Sequence, residues 1–103
     1  MKKYENQNFI ELMPADGRKS FYGKAAVMVE RDAEHRATRY SLYSYRTLVA
    51  WYDVQSGHFV RVWNGYSQTT MRHVNAFLRL LGYDCGGKAF WSAIPAGCSV
   101  KLS

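Results

Sequence analysis

Tyr66-Ser67-Gln68-Thr69-Thr70-Met71-Arg72-His73-Val74-Asn75-Ala76-Phe77-Leu78-Arg79-Leu80-Leu81 is the one segment in which every local signal agrees. Met71, Val74, Phe77, Leu78 and Leu81 recur at helical spacing, while Arg72, His73, Asn75 and Arg79 fall off that stripe. The segment therefore reads as an amphipathic helix with one face to bury. Ser67 or Thr69 offers the hydroxyl that caps a first turn, and Gly82 is the residue that ends it. The rest of the chain is expected to cover the apolar stripe.

Just upstream, Thr47 to Val54 and the run from His58 to Trp63 are rich in Val, Tyr, Trp and Phe and read as strands joined by Gln55-Ser56-Gly57. Glycine stands only at the third loop position, which fits a type I turn followed by a glycine bulge and sets Val54 opposite His58. That register places Leu48, Ala50, Tyr52, Val54, Val60 and Val62 on one face. Val49, Trp51, Phe59, Arg61 and Trp63 share the other. The aliphatic face is the natural seat for the helix. Two readings compete for the aromatic face: core, or an open platform where Trp51, Phe59 and Trp63 stack bases beside Arg61.

Further out, Ala25 to Glu30 and Thr38 to Tyr45 are two more strands, and Arg46 marks a bend or bulge before Thr47. Arg31 to Arg36 is a hairpin tip of mixed sign, and Phe9 to Met13 is a short edge strand ended by Pro14. After the helix come a Gly-rich link from Tyr83 to Gly87, a helical turn from Lys88 to Ala93 and a last strand from Ser99 to Leu102. Phe90, Trp91 and Ile94 are expected to cap the core. The expected whole is one α+β domain over residues 1–103. Its sheet is an antiparallel meander of about four or five strands, packed on one main amphipathic helix over residues 67–81.

The charge balance points to a class of partner. Lys and Arg number 14 against 8 Asp and Glu, a net +6 with a pI near 9.5, so an anionic partner competes with simple solubility as the reason for the excess. Residues 1–24 carry 5 basic and 3 acidic side chains, 25–66 carry 5 and 4, and 67–103 carry 4 and 1. Both ends are basic. Within them, Arg18-Lys19-Ser20-Phe21-Tyr22-Gly23-Lys24 sets three cations around two aromatics. Arg18, Lys19, Tyr22 and Lys24 can grip a phosphate backbone and stack a base, unless Phe21 plugs the core and the cations stay solvated. On the helix, Arg72, Asn75 and Arg79 share one side, with His73 beside them, and suit phosphates or base edges.

Catalytic and metal signals are weak by comparison. Thr69 and His73 stand four apart on the helix, a nucleophile and base spacing with Tyr43 or Tyr45 nearby, but no acid orients the histidine, so no enzyme is expected. Glu30, Asp32 and Glu34 alternate as metal-nuclease carboxylates do, yet a solvated turn explains them better. Among Cys85, Cys98, His35, His58 and His73 no two show the close spacing of structural zinc ligands. Gly86-Gly87-Lys88 lacks the glycine spacing and the Ser or Thr of a phosphate loop. No cofactor is expected. Two cysteines, no apolar leader and no run approaching ~18 apolar residues imply free thiols, a cytoplasmic location and no membrane partner.

Ser44-Tyr45-Arg46-Thr47-Leu48-Val49-Ala50, followed by Tyr66-Ser67-Gln68-Thr69-Thr70-Met71-Arg72-His73-Val74-Asn75-Ala76-Phe77-Leu78, resembles a family of small uncharacterised proteins from phages, plasmids and gut bacteria. The upstream Lys19-Ser20-Phe21-Tyr22-Gly23-Lys24-Ala25 is similar to it as well. In that family an acidic residue often stands where this chain has Ala76, so this helix is the more basic. The resemblance implies a mobile-element origin and supplies no chemistry. Its leading implication is a non-enzymatic binder, an inhibitor of a host defence nucleoprotein in the anti-CRISPR manner, acting as monomer or homodimer. The alternative is a direct nucleic-acid binder or regulator.

Overall fold

The computed structural model describes residues 8–11, 24–84 and 86–102. Its elements are β1 (Asn8–Glu11), β2 (Ala25–Arg31), β3 (Ala37–Ser44), β4 (Thr47–Asp53), β5 (His58–Arg61), α1 (Gln68–Leu80), α2 (Gly87–Ser92) and β6 (Ser99–Lys101). The six strands make one antiparallel sheet in sequence order, β1 to β6. The α+β class is as expected, and so is the last strand, in which the chain returns after α2 to pair Val100 with Phe59; the six strands exceed the expected four or five.

Helix α1 forms where the local signals put it. Ser67 Oγ accepts the Thr70 N–H at 3.0 Å, which satisfies a donor that has no partner within the helix. At the far end the Tyr83 and Gly82 N–H groups donate to the Leu78 and Arg79 carbonyls at 2.9 and 3.0 Å. That is the Schellman pattern, and it needs the left-handed backbone of Gly82, at φ +92°. Met71, Val74, Phe77 and Leu78 are buried, and Leu81 packs on them part-exposed. Against this stripe lie Val27, Val29, Leu42, Ala50 and Phe59 from the sheet and Trp91 and Ile94 from the α2 end. The Phe59 ring sits at the centre, 6.2 Å from Phe77, 5.4 Å from Phe90 and 6.5 Å from Trp91 between centroids. One helix position departs from the expected pattern: His73 belongs to the buried set, not to the polar side.

The β4–β5 register also differs from the expected one. Asp53, not Val54, stands opposite His58, and Tyr52 stands opposite Phe59. The cause is the Asp53 side chain, whose Oδ2 accepts the Ser56 N–H at 2.8 Å while the Gly57 N–H donates to the Asp53 carbonyl at 2.8 Å. An aspartate that binds its own loop closes the turn one residue earlier. A one-residue slip on one strand changes which side chains share a face. Ala50, Tyr52, Phe59 and Arg61 therefore share the helix-covered face, and Trp51 and Val60 lie on the other. No joint platform of Trp51, Phe59 and Trp63 exists. Phe59 is core, Trp63 packs against the core rim, and Trp51 lies under the Arg39 guanidinium, 3.8 Å from its ring centre. A bulge between Leu42 and Tyr43 sets Leu42 against Ala50 and Tyr43 against Leu48. Val49 is the extra residue, which allows Val49 and Ala50 to be buried side by side.

Candidate partner-binding site

Ser44 faces Thr47 across a two-residue turn whose central residues, Tyr45 and Arg46, both have positive φ, +52° and +72°. Turns of this shape favour Asn-Gly, because other side chains crowd the backbone there. Holding two such residues left-handed costs about 1–3 kcal/mol each, and strain of that kind persists only where the surroundings impose it. Here the surroundings are visible. Ser44 Oγ lies 2.7 Å from His73 Nδ1 in a buried bond between β3 and α1, and the Tyr45 N–H donates to the Lys24 carbonyl at 2.9 Å. The bond joins the two phrases on which the family resemblance rests.

The turn presents an aromatic ring among cations. Tyr45 is 54% exposed, with Lys24 Nζ 5.8 Å from its ring centre and the His73 ring 5.8 Å away on its other contact. Lys24, Arg46 and Arg72 are all exposed. Between the turn, the end of β5 and the first turn of α1 lies a half-open cavity of about 120 Å³, lined by Ser44, Tyr45, Thr47, Val49, Trp63 and Thr70. The acidic side chains described lie elsewhere. Glu30, Asp32 and Glu34 surround the β2–β3 tip, Asp53 opens the β4–β5 loop, and Asp84 follows the C-terminal end of α1. Strand geometry sets those tips at the opposite end of the meander from Tyr45 and Arg46. Glu11 is the exception: it stands opposite Ala26, which pairs with Tyr43, so it lies at the turn's end of the sheet, in the edge strand two places from β3. At the acidic tip the charges pair locally: Asp32 accepts from the Arg36 side chain at 3.2 Å and from the Glu34 and Arg36 N–H groups, and Arg36 also meets Glu34.

His73 is only 1% exposed, and burial first, then the neighbouring Arg72 charge, lowers its pKa from 6.5 to about 4. It is neutral at pH 7 and a weak base, which suits a positioning role better than proton transfer. Thr69, its expected partner, is exposed, and the hydroxyl at the ring nitrogen is that of Ser44. The shift makes stability depend on pH with a definite sign. Between about pH 4 and 6.5 the unfolded chain binds the proton more readily, so stability is complete above that window and falls as pH drops through it. Between pH 7 and 4.5 the loss from His73 should be about 2–3 kcal/mol. Denaturant titrations at the two pH values measure it. His73→Asn, which keeps an amide near Ser44 and cannot titrate, should remove most of the slope, and an unchanged slope would assign it to other groups.

The remaining candidates from the sequence scatter. Arg61 is buried, its five N–H donors all directed to backbone carbonyls, so it is an internal tie and not a partner contact. Asn75 Oδ1 accepts the Gly87 N–H at 2.9 Å, and a Cβ on Gly86 would lie 2.4 Å from that oxygen; its carboxamide holds the α1–α2 link in place. Arg79 is exposed in the last turn of α1, away from the Tyr45 end. Lys24 joins the site, and Arg18, Lys19 and Tyr22 lie outside the described residues. Ser44, Tyr45, Arg46, Thr47 and Thr70, which build the site, were not candidate binding residues in the sequence; Asn-Gly at the turn would have been the signal, and it is absent.

The fold and site define a small α+β protein with one main helix over an antiparallel meander and a cation-flanked aromatic turn at one end. The chain belongs to a family of unknown function, DUF8033, whose model matches residues 10–93 and so spans the Tyr45 turn and α1. No curated protein and no solved structure matches it. Among the described residues, no helix is long and apolar enough to cross a membrane.

Proposed function

We propose that this is a small basic non-enzymatic binding protein of phage or mobile-element origin that engages the nucleic acid or an acidic groove of a host nucleoprotein and blocks it, as anti-CRISPR inhibitors do. The reading is supported above all by charge segregation. Lys24 and Arg46 flank an exposed tyrosine on a strained turn, Arg72 is next in sequence to the His73 whose ring meets that tyrosine, and the described acidic residues other than Glu11 lie toward the opposite end. A field arranged this way orients an anionic partner toward one end of the molecule. Solubility alone asks for no such arrangement.

The test compares two double reversals. Lys24→Glu with Arg46→Glu takes the net charge from +6 to +2, a change of two units at each of two sites. Arg31→Glu with Arg36→Glu makes the same change at the opposite tip. Binding to short nucleic acids and to an acidic polypeptide is read by fluorescence anisotropy across a salt series. The first pair should weaken binding about tenfold or more and flatten its salt dependence, and the second should do much less. Equal losses would reduce the effect to overall charge, and a wild type that binds no polyanion at low salt would overturn the reading.

A further inference from the structure

The cavity beside the turn is lined by four hydroxyl-bearing residues, Ser44, Tyr45, Thr47 and Thr70, and by the apolar Val49 and Trp63. An apolar cavity of about 150 Å³ holds one benzene-sized ring. At about 120 Å³ this one is smaller than that but half open, so it accommodates a single six-membered ring entering by its edge rather than the fused pair of a purine. A lining this rich in hydroxyl-bearing residues makes a hydrocarbon ring or an aliphatic side chain a poor occupant, since polar groups enclosed by such a ligand lose their hydrogen bonds. A flat ring with donors and acceptors on its edge satisfies them. Ser44 keeps hydrogen-bonding capacity beyond its one bond to His73. At the rim, the exposed Tyr45 offers a ring for stacking, and Lys24 and Arg46 supply the charge that a phosphate backbone needs.

From these features together we infer that the cavity seats one pyrimidine base of a single-stranded nucleic acid, with the cations of the turn on the flanking phosphates. The inference rests on the proposed function, narrowing its anionic partner to a single strand with an accessible base.

The experiment uses the full chain and three labelled ligands: a short oligothymidylate, an abasic oligomer of the same length and charge, and heparin. Oligothymidylate should bind about tenfold or more tighter than the abasic oligomer, the scale of one well-held base. Thr47→Phe places a ring at the exposed rim of the cavity in a strand position that accepts aromatics. It leaves charge unchanged, and it should bring thymidylate binding down to the level of the abasic oligomer. Equal binding of thymidylate and abasic oligomers by the wild type overturns the base site and leaves the charge reading standing. A thymidylate advantage that survives in folded Thr47→Phe also overturns it, assigning the preference to Tyr45 stacking alone. Failure of the wild type to bind any of the three overturns both. Melting curves establish that the variant is folded, and the comparison of ligands on the wild type stands without it.

Discussion

Arg61→Met is expected to destabilise the protein by about 3–5 kcal/mol, the loss typical of breaking a buried, fully bonded charged group. Every guanidinium N–H has a partner: Nε on the Trp63 carbonyl at 2.9 Å, Nη1 on those of Trp91 and Ile94 at 2.9 and 2.8 Å, and Nη2 on those of Asn64 and Gly65, both at 3.1 Å. The guanidinium carbon also lies 4.3 Å from the Trp91 ring centre. No carboxylate is among these partners. The Trp91 carbonyl, at the end of α2, already accepts the Ile94 N–H at 3.2 Å, and Arg61 adds a donor to it and to the Ile94 carbonyl beyond the helix. Methionine fills similar space and satisfies none of the five carbonyls, leaving the Trp91 indole N–H on the Gly65 carbonyl, at 2.8 Å, to tie the 62–67 link to α2. Lysine keeps the charge but has three donors on a point cation in place of a planar fork, so Arg61→Lys should lose most of the same stability. Urea titrations measure both. A midpoint for Arg61→Met within error of the wild type would show that water replaces the side chain and that the tie is dispensable.

The misreading of Arg61 shows where sequence reasoning reaches its limit. An arginine alternating with valines and aromatics looks like a solvent-facing strand position, and nothing local says that five carbonyls from residues 63–65 and 91–94 converge on it. The β4–β5 register was hidden for a related reason. Gly57 signals a turn, but the Asp53 carboxylate decides where the turn closes, and a slip of one residue moves Phe59 from the face shared with Trp51 to the face shared with Ala50 and Tyr52. The Tyr45–Arg46 turn has no Asn or Gly to announce it because its left-handed backbone is imposed by tertiary contacts, the Ser44–His73 bond among them. Helix α1 was legible because stripe, cap and stop all act within a few residues. Trp91 and Ile94 were legible as core because large apolar side chains near a chain end have few other places to go. Of the site, Lys24 and Arg72 were visible as cations. That Lys24 and His73, the residue after Arg72, meet at one tyrosine was not, since it depends on how β2, β3 and α1 meet.

Phe77→Ala should cost about 3–5 kcal/mol as well, by a different mechanism. Phe77 has no exposed surface, and its ring lies 6.2 Å from that of Phe59 at the centre of the core. Truncation removes apolar area and leaves a void, which the core closes only in part because α1 is fixed at both ends, by Ser67 at its start and the Gly82 motif at its finish. A chain of this size shifts its Tm by roughly 4–8 °C per kcal/mol, so melting should fall by more than about 12 °C. Two controls separate the void from a general sensitivity of the helix. Phe77→Leu keeps most of the volume and should cost under about 1.5 kcal/mol. Leu80→Ala, three residues on in the same helix but 44% exposed, should stay within about 0.5 kcal/mol of wild type. If Leu80→Ala proved as damaging as Phe77→Ala, the apolar stripe would have to be rotated about the helix axis, bringing Arg72 and Arg79 to new positions relative to the sheet.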